Sequence, residues 1–124
     1  MTAAAIRAHG QGGAIVNFAS VDAFAVSPGQ LVYCATKAAV VALTRSLALE
    51  LAADGITVNG VAPGWVDTPR NRTPRMEAAI PRIPLQRVAT PEEIADAVYL
   101  IGGEGRLGYM TGETIMLAGG ITFR

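Results

Sequence analysis

Ala14-Ile-Val-Asn-Phe-Ala-Ser20 is a short apolar run rich in residues that favour β-structure, and it predicts a buried strand. Residues 32–53 are dense in Ala and Leu and contain neither Gly nor Pro, so they predict a helix that closes at Asp54-Gly55. Ile56-Thr-Val-Asn-Gly-Val-Ala62 predicts a second buried strand. A strand, a helix and a strand in this order favour an α/β fold with a parallel sheet.

The segments on either side continue the alternation of helix and strand. Residues 2–9 predict the end of a helix, and residues 113–118 predict a closing strand. Between them, Thr90 suits the N-cap of a helix, Pro91 its first position and Glu93 the reciprocal contact of a capping box. A helix is therefore predicted to begin there.

The stretch from residue 65 to residue 90 is rich in proline. Regular structure is expected only in a short helix over residues 75–80, and long irregular segments of this kind are usually functional lids or disordered. The prolines are Pro69, Pro74, Pro81 and Pro84.

Composition and charge exclude several classes of protein. The chain has 124 residues, 51% of them apolar, which is enough for one domain and too little for two. Ten basic and ten acidic residues cancel, so the sequence lacks the electrostatic footprint of a protein that binds nucleic acid or an anionic membrane. No group of His, Cys, Asp and Glu has the spacing of metal ligands, and no metal site is predicted.

Three features concern the location of the protein in the cell. Cys34 is the only cysteine, which rules out an internal disulfide and favours a reducing compartment. The N-terminal segment breaks at Arg7 and does not resemble a signal peptide. The longest apolar run, residues 38–43, is too short to span a membrane. We therefore expect a soluble cytoplasmic protein.

Tyr33 and Lys37 form the pair with the clearest chemical potential. They lie four residues apart near the start of the predicted helix and so share one helix face. The unperturbed pKa of a tyrosine is about 10, and a cation held nearby favours the phenolate. A tyrosine in that setting could exchange a proton with an alcohol or a carbonyl. Ser20, at the end of the preceding strand, offers a hydroxyl that could steady the substrate oxygen.

The same pair has a plainer interpretation. Tyr33 could be a packed aromatic residue and Lys37 a solvated surface cation. With three tyrosines and one lysine, this spacing arises by chance about 2% of the time, which is the risk that any short motif carries. The pair alone leaves the two interpretations evenly balanced.

Three motifs in order resemble one known family, the short-chain dehydrogenases/reductases. The run from Gly13 to Ser20, followed after twelve residues by Tyr33-Cys-Ala-Thr-Lys37, resembles the active-site segment of that family. Residues 56–68 resemble its next strand and Pro-Gly cofactor turn, and residues 111–120 resemble its closing strand. The resemblance implies a Rossmann-like, doubly wound parallel sheet, with residues 1–124 as the C-terminal part of a single NAD(P)-binding domain.

The resemblance also implies a role for each matching residue near the start of the helix. Tyr33 would be the catalytic acid/base, and Ser20 would orient the substrate oxygen. Lys37 would hydrogen-bond the nicotinamide ribose beside Tyr33. The proline-rich segment 69–85 would be a mobile lid over the substrate.

A second group of matching residues implies the binding of NAD or NADP. Pro63, Gly64 and Val66 would line the nicotinamide, with the Val66 backbone meeting the carboxamide. Thr68 would lie near the cofactor phosphates. The sequence does not distinguish NAD from NADP.

Four further residues flank the catalytic positions, and for each of them a place in the substrate pocket and ordinary loop packing remain open alternatives. Asp22 and Gln30 would suit a polyol or a hydroxy acid as substrate. The four are Asp22, Phe24, Gln30 and Trp65.

The sequence departs from the family at its beginning. Family members start with a strand and a glycine-rich turn that binds the cofactor pyrophosphate at a helix N-terminus. Gly10-Gln-Gly-Gly13 is the only such turn here, and it precedes a strand instead of following one. We therefore expect a truncated gene product, a mis-started reading frame or a deliberate fragment, with the outer edge of the first strand uncovered. A natural protein much heavier than 12.8 kDa would confirm the mis-start.

The leading hypothesis is an NAD(P)-dependent oxidoreductase that interconverts an alcohol and a carbonyl of a small molecule by hydride transfer, with Tyr33 as acid/base. The alternative is a catalytically inactive fragment that acts at most as an interaction or oligomerisation module. The resemblance also implies a homo-oligomer, a dimer or a tetramer, in which the helix over residues 33–53 packs against its twin. The apolar face of that helix, with Val40, Leu43, Leu47 and Leu51, is expected to be mainly core.

Overall fold

The computed structural model describes residues 2–103 and 107–122 and contains a parallel sheet of three strands. The strands are β1 (Gly13–Phe18), β2 (Ile56–Pro63) and β3 (Thr114–Leu117), in the spatial order β1-β2-β3. Gly13 pairs with Ile56 at the start of the first ladder, and Pro63 pairs with Leu117 at the end of the second. The α/β class with parallel strands is thereby confirmed.

Residues 2–103 and 107–122 also form four helices. They are α1 (Thr2–His9), α2 (Leu31–Leu51), α3 (Pro74–Ala79) and α4 (Pro91–Gly102), with 3₁₀ turns at Val21–Ala23, Ala52–Asp54 and Ile80–Arg82. Each helix matches a predicted one within a few residues. The end of α2 also matches, because Gly55 adopts a left-handed φ of 69° that a side-chain-bearing residue rarely takes.

Helices cover both faces of the sheet, which is the doubly wound arrangement. Successive side chains of a strand point to opposite faces. Ile15 packs on one face against the cluster that holds Ala48 and Leu51 of α2. Val16 lies on the other face, where its side chain approaches Gly102 of α4. The Rossmann-like fold predicted from the resemblance is therefore present in its three-stranded part.

β1 is less buried than predicted. Every residue from Gly13 to Phe18 is exposed or half-buried, and the side chain of Phe18 is 51% exposed. The reason is topological, because β1 pairs only with β2 and its other edge has no partner within the described residues. β2, with a neighbour on each side, buries Val58, Val61 and Ala62 completely. The prediction of a buried strand is wrong for β1 in this chain and right for β2.

α2 buries a single stripe of its surface. Val41, Thr44, Ala48 and Leu51 are buried at helical spacing, while Leu43 is 52% exposed. The expectation that Leu43 belongs to the core is wrong, because a residue two positions from Val41 lies on the opposite side of a helix with 3.6 residues per turn. Val40 and Leu47 pack against the core as expected.

α2 with the turn that follows it is also the one helix in residues 2–103 and 107–122 that could cross a membrane by length and composition. The segment 31–54 has 24 residues and a mean hydropathy of 1.3 in its most apolar window. The uninterrupted apolar run of residues 38–43 is short, as the sequence indicates, and only the helix as a whole meets this criterion. A core helix of a globular protein meets the same criterion, and α2 packs along β2.

Candidate functional site

Ser20 lies at the site because it follows the carboxyl end of β1. Ser20 follows the strand by two residues, is buried, and caps the 3₁₀ turn over Val21–Ala23. Its Oγ accepts a hydrogen bond from the backbone N–H of Asp22 at 3.2 Å. Its hydroxyl proton donates to no acceptor in the described part of the chain, so it remains available for a substrate oxygen.

The first two turns of α2 carry Tyr33 and Lys37 beside this strand end. Lys37 Nζ donates to the backbone carbonyl of Phe18 at 2.9 Å and lies 5.7 Å from the centroid of the Tyr33 ring. Tyr33 is 42% exposed, so it is not the packed aromatic residue of the plainer interpretation. Lys37 is half-buried and bonded to the backbone, so it is not a freely solvated cation either.

A cavity of about 570 Å³ lies in front of these residues. One wall is formed by the segment after β1 and by the start of α2. The Ser27 hydroxyl holds the carboxylate of Asp22 on this wall with a 2.7 Å hydrogen bond to Oδ1. The predicted site residues on this wall are Ser20, Asp22, Gln30 and Tyr33.

The second wall is formed by the segment after β2, including the predicted lid. Trp65 lies at the base of this wall, and the guanidinium of Arg75 lies 6.0 Å from the centroid of its ring. Asn71 Nδ2 donates to the carbonyl of Val66 at 3.1 Å, which anchors the lid to the end of β2. The residues on this wall are Gly64, Trp65, Thr68, Arg70, Asn71 and Arg75.

The turn after β2 brings the backbone close to β3. The N–H of Gly64 donates to the carbonyl of Leu117 at 2.9 Å, and a Cβ at Gly64 would lie 3.3 Å from the Cα of Ala118. That separation is tighter than an ordinary contact, so Gly64 keeps the turn narrow. Val66 bridges to Ala89, and its own N–H makes no backbone hydrogen bond within residues 2–103 and 107–122.

Some predicted site residues lie outside the cavity wall. The side chain of Phe24 packs against the core cluster that contains Val41 and Ala62, which is the loop-packing alternative. Lys37, Pro63 and Val66 also do not line the cavity. Lys37 lies beside the end of β1, and Pro63 is the last paired residue of β2.

Comparison with known proteins places this arrangement in a family. The family model described as enoyl-(acyl carrier protein) reductase matches residues 1–122. The chain belongs to the short-chain dehydrogenase/reductase family. Family members are oxidoreductases, which agrees with the hypothesis drawn from the Ser20, Tyr33 and Lys37 motifs.

Individual dehydrogenases and reductases of the family match over most of the chain. The 3-oxoacyl-[acyl-carrier-protein] reductase FabG of Rickettsia felis is 39% identical over 112 residues, which are 88% of this chain and 46% of that protein. The short-chain dehydrogenase RED2 of Pyricularia oryzae is 44% identical over 116 residues, covering 89% of this chain and 41% of that protein. The chain therefore spans less than half the length of these relatives.

Solved structures match with similar coverage. The acetoin dehydrogenase YohF of Salmonella typhimurium superposes with a TM-score of 0.85 at 37% identity, over 96% of this chain and 46% of that one. The acetoin dehydrogenase of Enterobacter cloacae has a TM-score of 0.82 at 39% identity, again over 96% and 46%. ElxO, solved with NADP bound, has a TM-score of 0.86 at 28% identity, over 95% and 49%.

The residues present fit the nicotinamide end of the dehydrogenase cofactor, NAD or NADP. Gly64 lines the cavity and has no side chain to cover its backbone. The N–H of Val66 makes no hydrogen bond within the described residues. The Thr68 side chain lines the same cavity. The carboxyl ends of parallel strands are the usual cofactor edge of such a sheet.

Sequence reasoning missed the basic residues of the lid. Arg70, Asn71 and Arg75 line the cavity, as do Val21, Ser27 and Ile121. A signal was available, because residues 69–85 hold four arginines and a single acid, Glu77. The balance of ten basic and ten acidic residues over the whole chain conceals this local excess.

One ion pair anchors the start of the lid, and another lies just after its end. The guanidinium of Arg72 contacts Asp67 through Nε at 2.6 Å and Nη2 at 3.1 Å, and these hydrogen bonds lower the pKa of the Asp67 carboxyl. At the other end, Arg87 forms a bidentate pair with Glu93, which also completes the predicted capping box with Thr90. Those contacts lower the pKa of Glu93 to about 2. No group of three potential metal ligands occurs in residues 2–103 and 107–122.

Proposed function

We propose that this chain is the catalytic half of an NAD(P)-dependent oxidoreductase that interconverts an alcohol and a carbonyl, with Tyr33 as the acid/base. The observation that carries the proposal is the convergence of Ser20 and Tyr33 on one cavity, with Lys37 held beside Tyr33. A chance spacing of Tyr33 and Lys37 would not explain why the buried Ser20, which follows β1, lines the same cavity as Tyr33.

Ser20 and Tyr33 hold the substrate oxygen between them. Ser20 donates its free hydroxyl proton to that oxygen and so fixes and polarises it. Tyr33 then gives a proton to the oxygen as a carbonyl is reduced, or takes one from it as an alcohol is oxidised. Its partial exposure to the cavity leaves the phenolic oxygen accessible for this transfer.

Lys37 places a positive charge beside Tyr33 without blocking the cavity. Its ammonium is fixed by the Phe18 carbonyl, so its position does not depend on solvent. The two remaining ammonium protons can bind the ribose hydroxyls of the cofactor. When bound, NAD or NADP supplies the hydride acceptor or donor.

The turn after β2 would hold the nicotinamide. The uncovered backbone of Gly64 and the free N–H of Val66 suit a flat amide-bearing ring, with Pro63 fixing the start of the turn and Thr68 lying nearer the phosphates. Gln30, Asp22 and Trp65 would then shape the substrate side of the cavity. Phe24 is left out of this proposal because its half-buried side chain packs against the core cluster and does not line the cavity.

A second candidate function is an interaction module without catalysis. The observation in its favour is the apolar surface on α2, where the side chains of Leu31, Val32 and Leu49 are 85%, 73% and 85% exposed. Surface of this kind usually marks an interface. Self-association into a dimer or tetramer by α2 is compatible with either function. Cofactor binding separates the two, because only the oxidoreductase requires it.

Activity tests the proposed chemistry directly. The N-terminal half of the Enterobacter cloacae acetoin dehydrogenase, joined ahead of this chain, would complete the domain for an assay of NADH oxidation with diacetyl or other small ketones. Tyr33→Phe should lower the rate at least about 100-fold, since acid/base catalysis contributes 10²–10⁴. Tyr109→Phe is the matched control, because Tyr109 is fully exposed. An active chimaera whose rate is unaffected by Tyr33→Phe would contradict the proposal.

A further inference from the structure

The lid carries two arginines whose charge is not neutralised by an ion pair. Three ion pairs occur in the described residues, and they use Arg7, Arg72 and Arg87. Arg70 and Arg75 form none, and both line the cavity that Ser20 and Tyr33 share. A cavity wall with two uncompensated guanidinium groups attracts anionic oxygens.

The opposite wall carries the opposite charge. The carboxylate of Asp22 lines the cavity on the side of Ser20, where the Ser27 hydroxyl fixes it. An anionic group would be repelled from that wall and attracted to the lid. The cavity is therefore polarised, with its reactive hydroxyls at the negative wall and its guanidinium groups at the positive one.

We infer that the substrate is a ketone or secondary alcohol that carries a carboxylate or a phosphoryl group, and that Arg70 and Arg75 bind this anionic group. The inference rests on the proposed function. The substrate oxygen lies at Ser20 and Tyr33, and the anionic group lies against the lid. The cofactor phosphates are the other possible anions, because Thr68, which would lie near them, lines the same cavity, and the experiment below separates the two sources.

Trp65 provides a reporter for the test. It is the only tryptophan of the chain, and Arg75 lies over its ring, so an anion that draws the guanidinium away changes its emission. The chain would be titrated with two matched pairs of ketones, first without and then with NAD⁺. The pairs are acetoacetate with methyl acetoacetate, and dihydroxyacetone phosphate with dihydroxyacetone.

We expect at least one anionic ketone to bind about 10-fold more tightly than its neutral partner, the difference that one charge-assisted contact supplies. The preferred pair identifies the anion as carboxylate or phosphoryl. Arg70→Gln should remove most of the preference and leave the Arg75 contact with Trp65 in place. Arg82→Gln, an exposed lid substitution off the cavity wall, should leave the preference unchanged. The preference should also weaken as salt is raised, because both arginines are exposed.

Two results would overturn the inference. One is equal affinity for charged and neutral ketones, or failure of all four to bind. The other is a loss of NADH affinity in Arg70→Gln with an unchanged ketone preference, which would assign the arginine to the cofactor phosphates. Failure of the proposed function would give a different result. NADH would then bind neither the parent chain nor any variant, and this result does not depend on the ketone affinities.

Discussion

The ammonium of Lys37 donates to the carbonyl oxygen of Phe18 at 2.9 Å, which joins the second turn of α2 to the last residue of β1. Phe18 precedes Ser20 by two residues, and Tyr33 lies one helical turn before Lys37. This hydrogen bond thus connects the segment that carries Ser20 to the helix that carries Tyr33 and Lys37. The contact spans 19 residues of sequence and depends on the antiparallel packing of α2 against β1, which brings the start of the helix to the carboxyl end of the strand.

The Ser20 hydroxyl should be needed for catalysis more than for stability. In the completed domain, Ser20→Ala should lower kcat about 10²-fold or more through loss of substrate polarisation. It should also cost about 1 kcal/mol of stability through loss of the cap on the 3₁₀ turn. Steady-state kinetics and thermal unfolding measure the two effects. Ser46→Ala, at an exposed serine of α2, should change neither, and equal rates for both variants would refute the role of Ser20.

Asp22 should set substrate preference. Its carboxylate lines the cavity beside Ser20, so Asp22→Ala removes the negative charge that repels anionic substrates from this wall. We expect KM values to change unequally across a panel of polyols, hydroxy acids and neutral alcohols. Asp96→Ala, at an exposed position of α4, provides the control. An unchanged profile for Asp22→Ala would exclude Asp22 from the substrate pocket.

Two buried threonines should respond in opposite ways to removal of the hydroxyl. Thr114 Oγ1 is buried without a hydrogen-bond partner in the described residues, so Thr114→Val should stabilise the chain by about 1 kcal/mol. Thr44 Oγ1 accepts from Asn17 Nδ2 at 3.0 Å and donates to the Val40 carbonyl at 2.8 Å. Thr44→Val should destabilise it by about 1–3 kcal/mol. Denaturant unfolding measures both changes, and a shared sign would contradict the hydrogen-bond assignment.

The pair of Arg87 with Glu93 should make stability depend on pH. The folded-state pKa of Glu93 is lowered from 4.5 to about 2, so the pair stabilises the fold above pH 4.5 and loses its effect as the pH falls towards 2. Glu93→Gln can retain the capping box and loses the ion pair. Its melting temperature should lie below that of the parent chain at pH 7 and converge with it near pH 2. A difference that does not depend on pH would indicate that only the cap matters.

The sequence was sufficient for features that arise locally. The four-residue spacing of Tyr33 and Lys37, the glycine after α2 and the capping box at Thr90 each act within one or two helical turns, and all were predicted correctly. The three-stranded parallel sheet followed from the order of apolar runs. These are properties of short segments, so their patterns are visible without knowledge of the partners.

Features that depend on distant segments were missed or mistaken. Leu43 is exposed because the sheet covers only one stripe of α2, and β1 is half-exposed because its outer edge has no strand beside it in the described residues. The contact of Arg75 with Trp65 and the packing of Phe24 against Val41 depend on how the loops fold back. The distribution of apolar residues along the sequence does not show which face of a helix, or which edge of a strand, another element covers.

The most direct test of the central claim is a titration of the 124-residue chain with NADH and NADPH, followed by nicotinamide fluorescence. We expect saturable binding of at least one of the two, abolished or weakened at least about 10-fold in Lys37→Ala through loss of the charged contact with the ribose. Arg45→Ala, which removes a cation two turns further along α2, should bind as the parent does. A folded chain that binds neither cofactor, or binds equally well without Lys37, would contradict the account.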